Sequence, residues 1–279
     1  MTTARSPAND PDQIEVHPSG AALGAEIVGV DAACALPSDG VATIRKALME
    51  HSVIVLRDQR LDGEAQVQFT KYFGAPEIHV RATAGSTVPG IFVVSNVEED
   101  GRPIGALGHK AIDYHSDLAF MPKPGTLSAL YAVEIPPTGG STTWCSGYAC
   151  YDALDESIKG RLVGLRATHR HPHGPNNPPE VIDHPMAISH PETGRKALYV
   201  TPTFTRSIVG LPADDGEALL QQLFDHVAQP RFGYSHDWRV GDLVMWDNRC
   251  TMHRREPFPP QSRRIMHRTQ AYNDWIPTP

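Results

Sequence analysis

The stretch from 126 to 135 limits the fold more than any other part of the chain. Leu127, Ala129, Tyr131, Val133 and Ile135 recur at every second position, the period of a strand with one face in a core. Pro136-Pro137-Thr138-Gly139-Gly140 then breaks the pattern with turn-forming residues. Shorter extended runs are read at 53–56, 91–95, 141–144, 197–200, 243–246 and 264–271, with one or two more strands within 14–30. Helical spacing is sparser. Ser38 is placed as the N-cap of a helix through Val41, Ile44 and Leu48. Asp62 is placed as the cap of a second helix, with Ala65, Phe69, Tyr72 and Phe73 on one face and Gly74 as its left-handed stop. Two short helices are expected over 148–165. Asp214 and Glu217 form a capping-box-like start to a helix through Leu219, Leu223 and Val227. The segments 75–112 and 169–185 read as long loops and candidate lids. No internal repeat or linker interrupts the chain. The fold class expected is mainly β with helices, a β-sandwich or jelly roll, with 1–13 as a disordered leader and 14–279 as one domain.

Composition narrows the partners. The chain has 279 residues, 40% hydrophobic and 20% charged, enough for a sizeable core. A net charge of −7 and a pI near 6.0 without a basic block argue against a nucleic-acid partner. No apolar run approaches membrane-spanning length, and the N-terminus has no signal-peptide core, so no membrane partner is expected. Cys34, Cys145, Cys150 and Cys250 form no Cys-x-x-Cys pair. The chain reads as cytoplasmic with reduced thiols.

The chemistry-bearing candidates start at Tyr114-His115-Ser116-Asp117. On extended backbone, His115 and Asp117 project to one side and can grip one divalent metal. In a chain with 14 His, on the order of one such tripeptide arises by chance. A third ligand must come from elsewhere, and His253 is the candidate. Two histidines and one carboxylate on one face of an octahedron suit non-haem Fe(II). Near the C-terminus, Arg264 and Arg268 share one face of a strand that carries no acid. A solvent-facing pair is the commoner arrangement; an inward pair would require anions, because an unpaired buried charge is costly.

Several motifs in one order carry a resemblance: Leu23-Gly-Ala-Glu-Ile27, Phe73-Gly74, His115-Ser-Asp117, Pro137-Thr-Gly-Gly-Ser-Thr142 and Thr193-Gly-Arg-Lys-Ala-Leu198, then Trp246-Asp-Asn-Arg-Cys-Thr-Met-His253 and Arg263-Arg-Ile-Met-His-Arg268. From about Ile14 to Asn273 the sequence resembles the Fe(II)/2-oxoglutarate-dependent dioxygenase family that includes taurine dioxygenase and 2,4-dichlorophenoxyacetate dioxygenase. The resemblance implies a double-stranded β-helix, or jelly roll, with Fe(II) held by His115, Asp117 and His253, and with 2-oxoglutarate and O2 as cosubstrates. It implies that Arg264 binds the distal carboxylate of 2-oxoglutarate beside Thr142. A guanidinium suits that carboxylate geometrically. It places His79, Phe204 and Arg268 at the substrate. Ala111 and Ala82 stand where taurine-type members carry an asparagine and a tyrosine, so the anion end of the pocket looks kept and the amine end lost. The expected substrate is a small organic anion: an alkyl or aryl sulfonate, a sulfate ester or an aryloxy carboxylate. The resemblance also points to a homo-oligomer, a dimer or tetramer. Asp247 and Asn248 are given a structural role, and His171, His173 and His184 are left out of the site as exposed or lid residues. A Zn(II) hydrolase built on the same trio and a silent anion-binding jelly roll are the alternatives. Oxygen dependence and metal content separate them.

Overall fold

The computed structural model describes residues 9–77 and 85–279. His79 and Ala82 lie outside the described residues. Two facing sheets form the frame. Among the described residues, the larger has nine strands, ordered Glu15–Pro18, Ala25–Val28, Val53–Leu56, Leu243–Asp247, Leu127–Glu134, Ile265–Tyr272, Phe92–Ser95 and Ala106–Leu107, with Ala75–Pro76 also paired to Ile265–Tyr272. The smaller has four, ordered Gly233–His236, Thr142–Ser146, Thr251–Arg255 and Ile112–His115. This is the jelly-roll arrangement expected from the resemblance.

The central strand Leu127–Glu134 shows why its sequence alternates. Leu127, Ala129 and Tyr131 face a layer of helices, packing with Ile44, Leu48, Phe69 and Phe73. Leu130 and Ala132 face the smaller sheet, packing with Trp144, Val244, Trp246 and Met266. Both faces are buried, so both carry apolar residues. The regular alternation breaks at Val133, two residues short of its expected end at Ile135. A bulge between Ala132 and Glu134 leaves Val133 without a partner in Ile265–Tyr272. Val133 is consequently 37% exposed, and Ile135 packs on the inner cluster rather than with Leu127 and Ala129. One inserted residue flips the faces. The outer side of the smaller sheet, through Cys145 and Met252, is covered by Leu219, Leu220, Leu223 and Val227 of helix Ala213–Val227.

Several local expectations change. Helix Ser38–His51 is preceded by Pro37, and Ser38 lies inside it rather than capping it. Asp62 does cap helix Gly63–Lys71, accepting from the Ala65 amide at 2.8 Å. Gly74 is not a left-handed stop; a Cβ there would sit 2.9 Å from Asn273 Oδ1 and 3.0 Å from Ala271 Cβ, so close approach explains it. The Asp214/Glu217 box is absent, because helix Ala213–Val227 starts after Pro212 with no side-chain cap. Residues 9–13, expected in a disordered leader, are tied down: Asn9 donates to the carbonyls of Asp31 and Ala35 at 3.0 and 3.1 Å. The two expected lids contain strands. Glu98–Glu99 pairs with Arg102–Pro103, and Arg166–His169 pairs with Ile182–Pro185. No helix among the described residues is long and apolar enough to cross a membrane.

Candidate metal and cosubstrate centre

His115 and His253 meet across paired strands. Thr251–Arg255 runs antiparallel to Ile112–His115 with His253 opposite His115, and their ring centroids lie 4.1 Å apart. Trp144, paired with His253 on its other side, stacks on that imidazole at 6.4 Å, and Trp246 lies 4.8 Å away. Asp117 follows just past the end of the strand carrying His115, its Oδ1 3.9 Å from His115 Nε2. One ligand atom from each of His115, Asp117 and His253 falls within 4.8 Å of the others.

The surroundings leave these atoms in the state a metal requires. His115 Nδ1 donates to the Asp113 carbonyl at 2.9 Å, which turns Nε2 inward as an acceptor. Burial holds both imidazoles neutral, with Arg268 adding to the effect on each and His115 lowering His253 further. Burial alone would raise the Asp117 pKa, but the Arg268 guanidinium and a hydrogen bond from Ser128 work against it, and the carboxyl is held well below the usual range. His253 Nδ1 is buried with no hydrogen-bond partner among the described residues. Two neutral imidazoles and one carboxylate make a donor set that fits Fe(II).

The carboxylate is held by residues that motif reading passed over. Ser128 Oγ donates to Asp117 Oδ2 at 2.6 Å and accepts from Asn248 Nδ2 at 2.9 Å and Gln270 Nε2 at 3.1 Å. Asn248 Oδ1 accepts from Trp246 Nε1 at 2.9 Å and from the Asp117 amide at 3.3 Å. Asn248 was expected to be structural; it orients Asp117 directly. Its neighbour Asp247 anchors the following turn through Arg249 and His190, with Arg249 Nη2 at 2.6 Å and His190 Nε2 at 3.0 Å. Asp247 also lies within ligand distance of His190 and Cys250. The guanidinium of Arg249 occupies both its oxygens, and Cys250 is kept a thiol by burial, its pKa pushed up to about 12. That trio reads as a structural network.

The arginine face turns inward. Arg264 is 1% exposed, and its Nε and Nη2 have no hydrogen-bond partner among the described residues. Burial, and then the nearby charge of Arg255, pull it down to about 9. Thr142 is buried and accepts from Nε1 of Trp238, a residue that lines one cleft with Arg264, at 3.0 Å, which leaves the Thr142 hydrogen free to donate. The Gly139-Gly140 turn closes over this place. Both glycines have positive φ, and a Cβ on Gly139 would meet the Pro257 carbonyl oxygen at 2.5 Å. A cleft lined by 135–141, Asp237, Trp238 and Arg264 opens there. The larger cleft around Tyr151, Lys159 and Pro279 shares none of these residues. A carboxylate is what the buried cation and hydroxyl call for.

Arg268 lies nearer the metal trio, its Nη1 donating to Asp117 Oδ1 at 3.2 Å and its guanidinium 4.8 Å from the Phe92 ring. Phe204 packs edge-on against His115 at 5.8 Å and against Phe120 at 5.0 Å, an apolar wall beside the trio. Ala111 is exposed. His184, expected as an exposed or lid residue, is 2% exposed, its ring tilted against that of His169 with centroids 5.3 Å apart.

The family model of the taurine catabolism dioxygenase TauD, TfdA family matches residues 15–270. The chain belongs to this family. This TauD/TfdA-family chain is 32% identical over 275 residues to an alpha-ketoglutarate-dependent 2,4-dichlorophenoxyacetate dioxygenase of Cupriavidus pinatubonensis, covering 90% of the chain and 95% of that protein. It is 31% identical over 261 residues to an alpha-ketoglutarate-dependent sulfate ester dioxygenase of Pseudomonas putida, covering 86% and 83%. A crystal structure of a taurine dioxygenase from Burkholderia xenovorans superposes with a TM-score of 0.83 at 34% identity, covering 95% of this chain and 91% of that one.

Proposed function

We propose that this chain is an Fe(II)- and 2-oxoglutarate-dependent dioxygenase that hydroxylates a small organic anion: an alkyl or aryl sulfonate, a sulfate ester or an aryloxy carboxylate. The observation that carries the reading is a buried, acid-free arginine, Arg264, in a cleft with Trp238, which donates to Thr142, in the same barrel as the His115/Asp117/His253 trio. Relatives named for an aryloxy acid and for sulfate esters support the substrate class.

When bound, Fe(II), 2-oxoglutarate and O2 supply the oxidising chemistry, in which loss of CO2 and formation of succinate drive insertion of one oxygen atom into a substrate C–H bond. His115, Asp117 and His253 would hold the metal. Arg264 and Thr142 would hold the distal carboxylate of 2-oxoglutarate. Arg268 would orient the substrate anion, with His79 as its expected companion. Phe204 and Phe120 exclude water on one side and pack the substrate's apolar tail. A substrate hydroxylated on the carbon bearing sulfonate or an aryloxy group collapses to a carbonyl compound plus sulfite or a phenol. Residues 14–279 then act as one domain, and we read the assembly as a homo-oligomer.

The test is succinate release by protein reconstituted anaerobically with Fe(II), then given O2, 2-oxoglutarate and a panel of the three anion classes. Succinate rising with one class is the expected result. A Zn(II)-dependent, oxygen-independent turnover would overturn the reading, as would turnover retained by Asp117→Ala.

A further inference from the structure

We propose that Arg255 is a second cation of the cosubstrate pocket, and that with Arg264 it sets the preference for a dicarboxylic over a monocarboxylic 2-oxo acid. The inference rests on the reading of Arg264 and Thr142 given above and adds a residue that no motif pointed to. Arg255 is two residues beyond His253 on Thr251–Arg255, so both side chains project from the same face of that strand. Across the ladder, Trp144 is the partner of His253 and Thr142 is the partner of Arg255. Directly opposed side chains of an antiparallel pair lie side by side. The register therefore sets Arg255 beside the Thr142 hydroxyl, one step along the barrel from the metal trio.

Arg255 is 6% exposed. Its Nη2 donates to the Leu107 carbonyl at 2.8 Å and to the Lys110 carbonyl, while its Nε is buried with no partner among the described residues. The Phe258 ring lies against both cations, 5.4 Å from the Arg255 guanidinium carbon and 5.9 Å from that of Arg264. Among the described residues, Arg255 bonds only backbone carbonyls and Arg264 Nε and Nη2 have no hydrogen-bond partner, although Asp237 lies at the rim of the same cleft as Arg264. The charge of Arg255 acts on Arg264, and no acid acts on either. Two buried like charges without an acid raise the positive potential at one point, and each disfavours the other until an anion arrives. A 2-oxo acid with a distal carboxylate answers that potential. One ending in a methyl group leaves both cations unanswered in a desolvated place. One side of Arg255 is fixed by backbone carbonyls, which leaves its Nε–H to donate, with Thr142 and Arg264, to the distal carboxylate.

The test is titration calorimetry on Mn(II)-loaded protein, where no turnover occurs, comparing 2-oxoglutarate with 2-oxopentanoate, which has the same chain length but no distal carboxylate. Arg255→Gln is expected to weaken 2-oxoglutarate binding by about tenfold or more, as for loss of one charge-assisted contact, and to change 2-oxopentanoate binding less than about threefold. Arg255→Lys keeps the charge and is expected to retain most of the selectivity. If Arg255 only anchors the 107–110 backbone, Lys and Gln lose stability alike and the selectivity ratio stays at its wild-type value, which overturns the proposal. A measurement on wild-type protein covers a variant that fails to fold. The Arg255 Nε–H resonance should shift on adding 2-oxoglutarate and stay still with 2-oxopentanoate; equal responses refute the role. Arg264→Gln separates the two readings. If wild type does not discriminate the two acids, or Arg264→Gln leaves the ratio unchanged, the cosubstrate pocket itself is misassigned; if Arg264→Gln lowers the ratio and Arg255→Gln does not, only the role of Arg255 falls.

Discussion

Replacing Ser128 with alanine tests how the carboxylate ligand is held. Ser128 is fully buried, and its hydroxyl makes three hydrogen bonds: it donates to Asp117 Oδ2 at 2.6 Å and accepts from Asn248 and Gln270. The first of these is a bond to a charged group, worth about 1.5–3 kcal/mol. The same figure follows from outer-shell partners of metal ligands, whose loss costs roughly 10–100-fold in metal affinity, or about 1.4–2.7 kcal/mol. The other two bonds act on stability instead. Without the hydroxyl, Asn248 Nδ2 and Gln270 Nε2 become buried donors without a partner, at about 1–3 kcal/mol each unless a water fills the space. Two measurements therefore separate two effects. Mn(II) titration of folded Ser128→Ala should show affinity lower by at least about tenfold, and urea unfolding of the metal-free protein should show a loss of roughly 2–6 kcal/mol. Metal affinity within about twofold of wild type, alongside the stability loss, would make Ser128 a packing residue and refute the positioning argument.

Three further outcomes follow from buried charges and from Asp117. Arg249→Met strips both oxygens of Asp247 of their guanidinium and should cost about 3–5 kcal/mol in chemical denaturation; adding Asp247→Asn in the same chain should recover part of that, and a purely additive double mutant would contradict the pairing. Burial depresses His169 to about 3 and His184 to about 4, so both stay neutral in the fold. The unfolded chain takes up their protons from pH 6.5 downward, so stability is intact above that pH and falls as pH drops toward the folded values. By pH 5 the loss is about 2 kcal/mol for each of these two histidines, and His184→Gln should remove its own share, about 2 kcal/mol, from the fall in unfolding free energy between pH 7 and pH 5. Asp117→Ala should abolish Mn(II) binding measured by titration, and tight binding by that variant would displace it from the ligand set.

How much of this was legible depended on what each residue's face had to do. The central strand announced itself because both of its faces are apolar packing surfaces. The bulge at Val133 left no mark, since a bulge is a matter of pairing and not of residue type. The strand Thr251–Arg255 hid for the opposite reason. Its inward positions are Thr251, His253 and Arg255, polar residues required by the site, so the period of two carries no hydrophobic signal. His169 and His184 hid similarly: polar side chains with composition typical of a loop are buried 1% and 2% exposed in paired strands. The helix caps failed at Ser38 and Asp214 because a proline set each N-terminus in extended backbone one or two residues earlier.

The candidate metal trio was legible as residues and not as an arrangement. His115 and His253 belong to one sheet and owe their contact to a register that places them opposite each other. Asp117 starts from the same segment, but its hydrogen bonds lead to the other sheet: to Ser128 on Leu127–Glu134 and to Arg268 on Ile265–Tyr272, with Gln270 of that strand joined through Ser128. Two ligands are thus fixed on one wall of the barrel while the third is tethered to the facing wall. Small shifts between the sheets would change the Asp117 distance while leaving the His115–His253 pair intact. The large side chains between the sheets oppose such shifts: Trp144 and Trp246 pack at 5.5 Å across the gap, and both also touch His253. Close-packed interiors yield little, so the aromatic core that joins the sheets also fixes the spacing of the candidate metal ligands.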